Sequence, residues 1–242
     1  MRALIAGHFA DAEAIIAAHD AMPPEDVGAH FGAANGRTQL AYLRGDWKGA
    51  TAYWAEVRSI VPAATEPYFG YLGAGGDIDD LRRYWQQWIA VDALRPAWTR
   101  PANTGVLAES LRRLEEPDAA AALYAEFADH SGYYFTNGIA WFYGPFDTAL
   151  GILAATAGDL DTALVHLTRA VEQCDAIASP TWGAIARLEL ATAARARGAS
   201  ADEEVASQAM ARARRAMTDL GMPGWLERLE RLEAGDLQPW RI

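Results

Sequence analysis

The sequence predicts an all-α fold, a right-handed solenoid of about six antiparallel helix hairpins in which residues 1–242 form a single domain. Three observations predict it. A turn signature recurs six times at hairpin spacing, apolar residues between the turns follow the helical period, and no segment sustains the apolar–polar alternation of a strand.

The turns share one form, a Gly or other breaker, a short polar stretch, then Ala or Leu five places on. They are Gly7–Ala12, Gly45–Ala50, Gly76–Leu81, Glu115–Ala120, in which Pro117 replaces the glycine as breaker, Gly158–Ala163, and a longer version starting at Gly198. Their starts lie 31 to 43 residues apart, close to the roughly 34–47 residues of helical-hairpin repeats. Glycine can end the first helix of a pair in a left-handed cap. Asp46, Asp77 and Asp159 can cap the second by accepting its free amide hydrogens. Small residues at Ala12, Ala50, Ala120 and Ala163 let paired helices approach. Leu160, Leu164, Leu167, Val171 and Cys174 line one helical face, and Trp182, Ile185, Leu188 and Leu190 behave likewise. Prolines fall between the periodic runs.

The first hairpin reads as truncated, because only Met1–Ala6 precede its turn where about a dozen residues would form a helix. An uncapped end of an array exposes apolar surface, so a homo-oligomer through this hairpin is expected as an alternative to a capping partner.

Composition narrows the function classes. A net charge of -11 opposes the field that gathers phosphate backbones, so nucleic acid is not an expected partner. The single cysteine, Cys174, cannot form an internal disulfide, and together with the lack of a signal-peptide core near Met1 it suggests a cytoplasmic protein. No run of about 18 apolar residues spans a membrane. Lys48 is the only lysine among many arginines, a bias typical of GC-rich genomes.

From about Leu123 to Ala234 the order of motifs is more distinctive. Gly144-Pro145-Phe146-Asp147, Leu150–Ala155, Gly158–Ala163, Ser179-Pro180-Thr181-Trp182 and Leu220–Gly224 together resemble the C-terminal tetratricopeptide-like tail of large actinobacterial regulators, which carry a cyclase or DNA-binding head and a central ATPase. The resemblance implies a module that senses a ligand or protein partner, with nucleotide chemistry in other domains. The Gly-rich stretch Gly70–Gly76 lacks the Lys-Ser or Lys-Thr of a phosphate-binding loop, and no unit carries the full tetratricopeptide signature.

Aromatic residues depart most from a plain scaffold, with nine Trp and nine Tyr. One group spans Trp47, Tyr53, Trp54, Tyr68, Phe69, Tyr71, Tyr84, Trp85, Trp88 and Trp98. The other is the segment His130–Gly144, longer than a hairpin turn requires and read as a loop. Such side chains join apolar area to a polar end, which suits a groove for mixed ligands, although Tyr84 and Trp88 also have the spacing of interhelix filler. Trp54, Tyr84, Trp88, Tyr133, Tyr134, Trp141 and Tyr143 are therefore the candidate ligand-binding residues. The expected function is a binding or sensing module that holds a protein segment or small ligand in an aromatic-lined concave groove. The alternative is a small enzyme acting on an apolar substrate, for which His130, Tyr134, Asn137 and Asp147 are the candidate proton-transfer or orienting groups. No cofactor motif and no paired histidines for a metal occur. Cys174 sits on an apolar face and reads as a buried, unreactive thiol.

Overall fold

The computed structural model describes residues 1–60, 75–91, 99–137, 141–238 and 240. Within them the chain is mostly helical, as the periodicity requires. The helices are α1 (Arg2–Ile5), α2 (Phe9–Asp20), α3 (Val27–Arg44), α4 (Trp47–Ile60), α5 (Ile78–Val91) and α6 (Thr99–Leu114), followed by α7 (Pro117–Phe127), α8 (Phe146–Thr156), α9 (Leu160–Ala176), α10 (Pro180–Arg197), α11 (Asp202–Leu220) and α12 (Pro223–Glu233). Among the described residues no helix is long and apolar enough to cross a membrane.

The turn signatures fall at helix ends, and the aspartates of three of them cap the helix that follows. Asp46 accepts from the Gly49 amide at 2.8 Å, Asp77 from the amides of Asp79 and Asp80 at 2.9 and 3.0 Å, and Asp159 from the Thr162 amide at 3.0 Å. Gly45 and Gly198 end α3 and α10 with φ of 77° and 69°, the left-handed backbone that glycine adopts without steric cost. Helices on either side of a turn pack together, α1 on α2, α3 on α4, α6 on α7, α8 on α9 and α10 on α11. The intervening neighbours α2–α3, α7–α8, α9–α10 and α11–α12 also touch, and α6 packs on α8.

The two ends of this stack meet. α1 lies against α10 and α12 against α3, contacts absent from a linear array in which each unit touches only its neighbours. The carbonyls at the C-terminal end of α1, which a four-residue helix cannot satisfy internally, accept from distant hydroxyls. Ser179 donates to Ile5 at 2.9 Å and Thr181 to Leu4 at 3.1 Å. At the other junction a Cβ on Gly45 would lie 2.5 Å from the Cα of Gly224, and one on Gly224 would lie 2.2 Å from the Gly45 oxygen. Two glycines thus let the α3–α4 turn and the start of α12 touch through their backbones. The Trp225 indole N–H seals the contact by donating to the Tyr42 carbonyl at 3.0 Å.

The segment expected as a loop between His130 and Gly144 instead forms a short 3-10 turn (Ala128–His130) and a hairpin of two antiparallel strands, β1 (Tyr134–Asn137) and β2 (Trp141–Pro145). Its Tyr-Phe-Thr and Trp-Phe-Tyr runs favour the pleated conformation once one face can pack. Phe135 supplies that packing by stacking on Phe146 with ring centres 4.0 Å apart. The strands are too short, and interrupted by a register shift after Tyr134, to show alternation in the sequence.

Candidate functional site

The middle of α6 is unusual for what it buries. Glu109, Arg112 and Arg113 are 5%, 7% and 9% exposed, alongside the apolar Leu107, Ala108 and Leu111. Charges survive such burial only when paired and hydrogen-bonded. Arg112 donates through Nη2 to Glu109 at 3.0 Å and to Glu189 of α10 at 3.1 Å, with a second bond from Nη1 to Glu189. Burial opposes its charge, but Glu189 and Glu109 overcome that and raise the guanidinium pKa above its ordinary value. Its buried Nε–H meets no acceptor among the described residues.

Behind this fork lies Arg228 of α12, 1% exposed and 3.8 Å from Glu109. Its guanidinium carbon is 4.3 Å from the ring centre of Trp47 and 4.8 Å from that of Trp225, and the two indoles meet edge to face at 4.9 Å. The aromatic faces stabilise the cation that water no longer reaches. Burial and the neighbouring Arg112 still lower its pKa, against the pull of Glu109. Residues from α3, α4, α6, α10 and α12 therefore join in one buried polar cluster where the ends of the stack close.

In front of Arg112 a cavity of about 510 Å³ opens. Ile152, Ala155 and Thr156 of α8, Leu160 and Leu167 of α9, and Thr192 and Ala193 of α10 form its walls. The remaining wall is the C-terminal segment. α12 ends at Glu233, Gly235 turns the chain at φ 92°, and Asp236 holds the turn by accepting from Arg231 Nε at 2.9 Å and from the Gln238 amide at 2.8 Å. Leu237, Gln238 and Trp240 then line the cavity, with the Trp240 ring centre 4.2 Å from the Arg112 guanidinium carbon. The volume falls in the range of small-molecule pockets, and the lining is largely apolar with few polar groups.

The residues singled out from sequence lie elsewhere. Trp54 is 1% exposed in a small core with Ala34, Ala41, Ala50 and Val57. Tyr84 packs, half-buried, on the Leu81–Leu107 core. Tyr133 is 65% exposed, Tyr134 donates its hydroxyl to the Gln173 carbonyl at 3.1 Å, and Tyr143 packs against Trp182. The His130 ring stacks on Phe146 at 5.1 Å. The side chains of Trp88, Asn137 and Trp141, together with Tyr68, Phe69, Tyr71, Trp98 and Gly70–Ala74, lie outside the described residues.

Asp147 enters a polar network. The fully buried carboxylate accepts from Ser131 Oγ and the Gly132 amide, each at 2.7 Å, and lies 2.7 Å from His166 Nδ1. With Nδ1–H donating to the carboxylate, His166 Nε2 faces the Tyr124 hydroxyl at 3.0 Å. The arrangement fastens the hairpin to α7, α8 and α9. His166 and Tyr124 were not anticipated, and none of the three residues lines the cavity.

Arg112, Glu109 and Glu189 were missed as well, because Glu109-x-x-Arg112 on a helix reads as a solvated i,i+3 pair. Arg228 carried a usable signal, since Trp225, Arg228, Leu229 and Leu232 form one apolar stripe with a charge inside it. No family model matches the chain, and no curated protein or solved structure matches it at a significant level.

Proposed function

We propose that the protein is a tetratricopeptide-like helical-repeat module that binds a small ligand in the cavity between α6, α8, α9 and α10. The observation that carries the reading is the Arg112 side chain, 7% exposed and locked to Glu189 and Glu109, standing beside a largely apolar cavity of about 510 Å³. A rigid polar group at the edge of an apolar hollow is what orients a ligand. The resemblance of the second half of the chain to the tails of large actinobacterial regulators supports a sensing role, in which occupancy of the cavity is the signal. The inner wall supplied by α8, α9 and α10 belongs to that half.

Native mass spectrometry of the chain purified from its own host tests this. The wild type should retain a molecule of a few hundred daltons, and Ala193→Phe, which fills the cavity from α10, should emerge without it. A wild-type spectrum of bare chain, with no mass retained under gentle desolvation, contradicts the small-ligand reading.

A second reading, a small enzyme acting on an apolar substrate, is favoured by the Asp147–His166–Tyr124 chain alone. A carboxylate orienting an imidazole toward a hydroxyl is the logic of a general base. Burial raises the Tyr124 pKa, with Asp159 and Asp147 adding to the shift, so the phenol is not activated. Its separation from the cavity lining makes this the weaker reading.

A further inference from the structure

We propose that the groove between α10 and α11 docks an acidic segment of a partner protein, with Arg212 and Arg215 receiving two of its carboxylates and Leu220 an apolar side chain. The groove shares no lining residue with the Arg112 cavity, so this interaction goes beyond the small-ligand reading and does not depend on it. It encloses about 400 Å³ between Pro180 and Arg187 of α10 and Arg212, Arg215, Ala216 and Leu220 of α11.

Arg212 and Arg215 stand one turn apart on α11, with their Cβ atoms about 5–6 Å from one another. Both are exposed, and neither pairs with a carboxylate among the described residues. Their neighbours behave otherwise. Arg214 pairs with Glu230 and Glu233 of α12, and Arg195, Arg197 and Arg231 each hold a carboxylate. In a chain with 32 acidic and 21 basic residues, two uncompensated cations on one face reverse the local sign of charge. Arg187 adds a third, fixed in place by donating through Nη1 to the Gly183 carbonyl at 3.1 Å and through Nη2 to both oxygens of Asp175 at 2.7 Å. Asp219 is the one carboxylate in the lining, and it forms no ion pair with either free arginine.

The reach of these charges selects the partner. At physiological ionic strength they act over about 8 Å, so a segment in the groove meets the guanidiniums and little of the net charge of -11. A nucleic-acid strand would carry its phosphates past the groove onto an acidic surface. Exposed ion pairs alone contribute little, which disfavours a small free anion. Pro180, Ala216 and half-buried Leu220 supply apolar contact, and Val205, 41% exposed two turns before Arg212 on the same face, extends it. The spacing also fits. Arg212 to Leu220 spans about 12 Å along α11, and three alternate side chains of an extended segment span about 13 Å on one side.

The test uses the full chain and the peptide Ser-Glu-Ser-Glu-Ser-Leu-Ser, dansylated at its N-terminus and amidated at its C-terminus so that only the two glutamates are charged. Dansyl anisotropy at about 50 mM salt reads binding. The wild type should bind this peptide about fivefold more tightly than its Glu-to-Gln counterpart, the ratio that two exposed ion pairs confer, and the difference should shrink as salt rises. Arg212→Glu combined with Arg215→Glu should weaken binding about tenfold or more, because two attractions become repulsions. Arg82→Glu combined with Arg83→Glu on α5 changes the net charge equally and should leave affinity within about twofold. If the α11 reversal unfolds the chain, as circular dichroism would show, the glutamine comparison and the salt series on the wild type still decide. Equal affinity for the glutamine peptide overturns the role of charge, and an equal loss in the α5 variant overturns the placement. Displacement by an equal concentration of inorganic phosphate makes the groove a plain anion site, and tighter binding of a short oligothymidylate makes its partner a nucleic acid. Either result overturns the proposal, as does a wild type that binds no peptide.

Discussion

At the scale of single residues the interior is notable for its arginines. Arg112 and Arg228 are held by a small set of carboxylates and indoles, and each contact compensates for lost hydration. Glu189→Ala leaves Arg112 facing Glu109 alone, so it should lower unfolding stability by about 3–5 kcal/mol, the cost of an uncompensated buried charge. Urea denaturation monitored by tryptophan fluorescence measures it, and a loss below about 1 kcal/mol would mean that water reaches the pair. Asp147 makes a pH-dependent contribution. Burial opposes its charge, but the bonds from His166, Gly132 and Ser131 prevail and hold the carboxyl below its ordinary value. A folded pKa below the unfolded one stabilises the protein above the unfolded value, near 3.9, and that stabilisation is lost as pH falls through the folded one. Asp147→Asn should therefore be less stable than wild type at pH 7, with the gap narrowing below about pH 4. A gap of constant size across that range would sink the assignment. Cys174, fully buried with its thiol pushed up to about 12 by burial, behaves as the small hydrophobe its position on α9 suggested.

At the scale of elements, what was legible from sequence is what is decided locally. A glycine followed by an aspartate ends one helix and caps the next within a few residues, so Gly45-Asp46 and Gly158-Asp159 announce their turns without reference to the rest of the chain. The hairpin at 134–145 was not legible, because its strands depend on a tertiary partner, Phe146, more than on any alternation of their own. The described aromatic candidates lie away from the cavity for a related reason. Composition counts tryptophans but does not say which side of a helix faces a neighbour, and Trp54 proves to be core. The glycine turns also differ among themselves in what they carry. Gly45 has a positive φ and a backbone neighbour 2.5 Å from its would-be Cβ, whereas Gly198 has a similar φ and nothing closer than 3.8 Å. Gly198→Ala should cost about 1 kcal/mol for the left-handed backbone, and Gly45→Ala at least about 2 kcal/mol more because α12 must also move. Thermal or urea unfolding of the two variants compares them directly, and equal losses would mean that the contact with Gly224 contributes nothing.

At the scale of the molecule, the stack is held at both ends by its own chain. The short first helix, which on sequence alone invited a second copy, has its carbonyls satisfied by Ser179 and Thr181 and Leu4 buried at 5% exposure. Joining the ends is also what assembles the buried cluster, since Trp47 comes from the first part of the chain and Arg228 from the last. Arg112 then connects that cluster to the cavity, so a ligand seated there touches the network holding the ends together. The most direct test of the ligand site follows the Ile and Leu methyl groups by NMR as 2-acetylnaphthalene is added to the full chain. The account predicts shifts concentrated at Ile152, Leu160, Leu167 and Leu237, with those of Ile15 and Leu226 unmoved. Shifts that spread evenly over the surface, or that cluster away from α8 and α9, would contradict it.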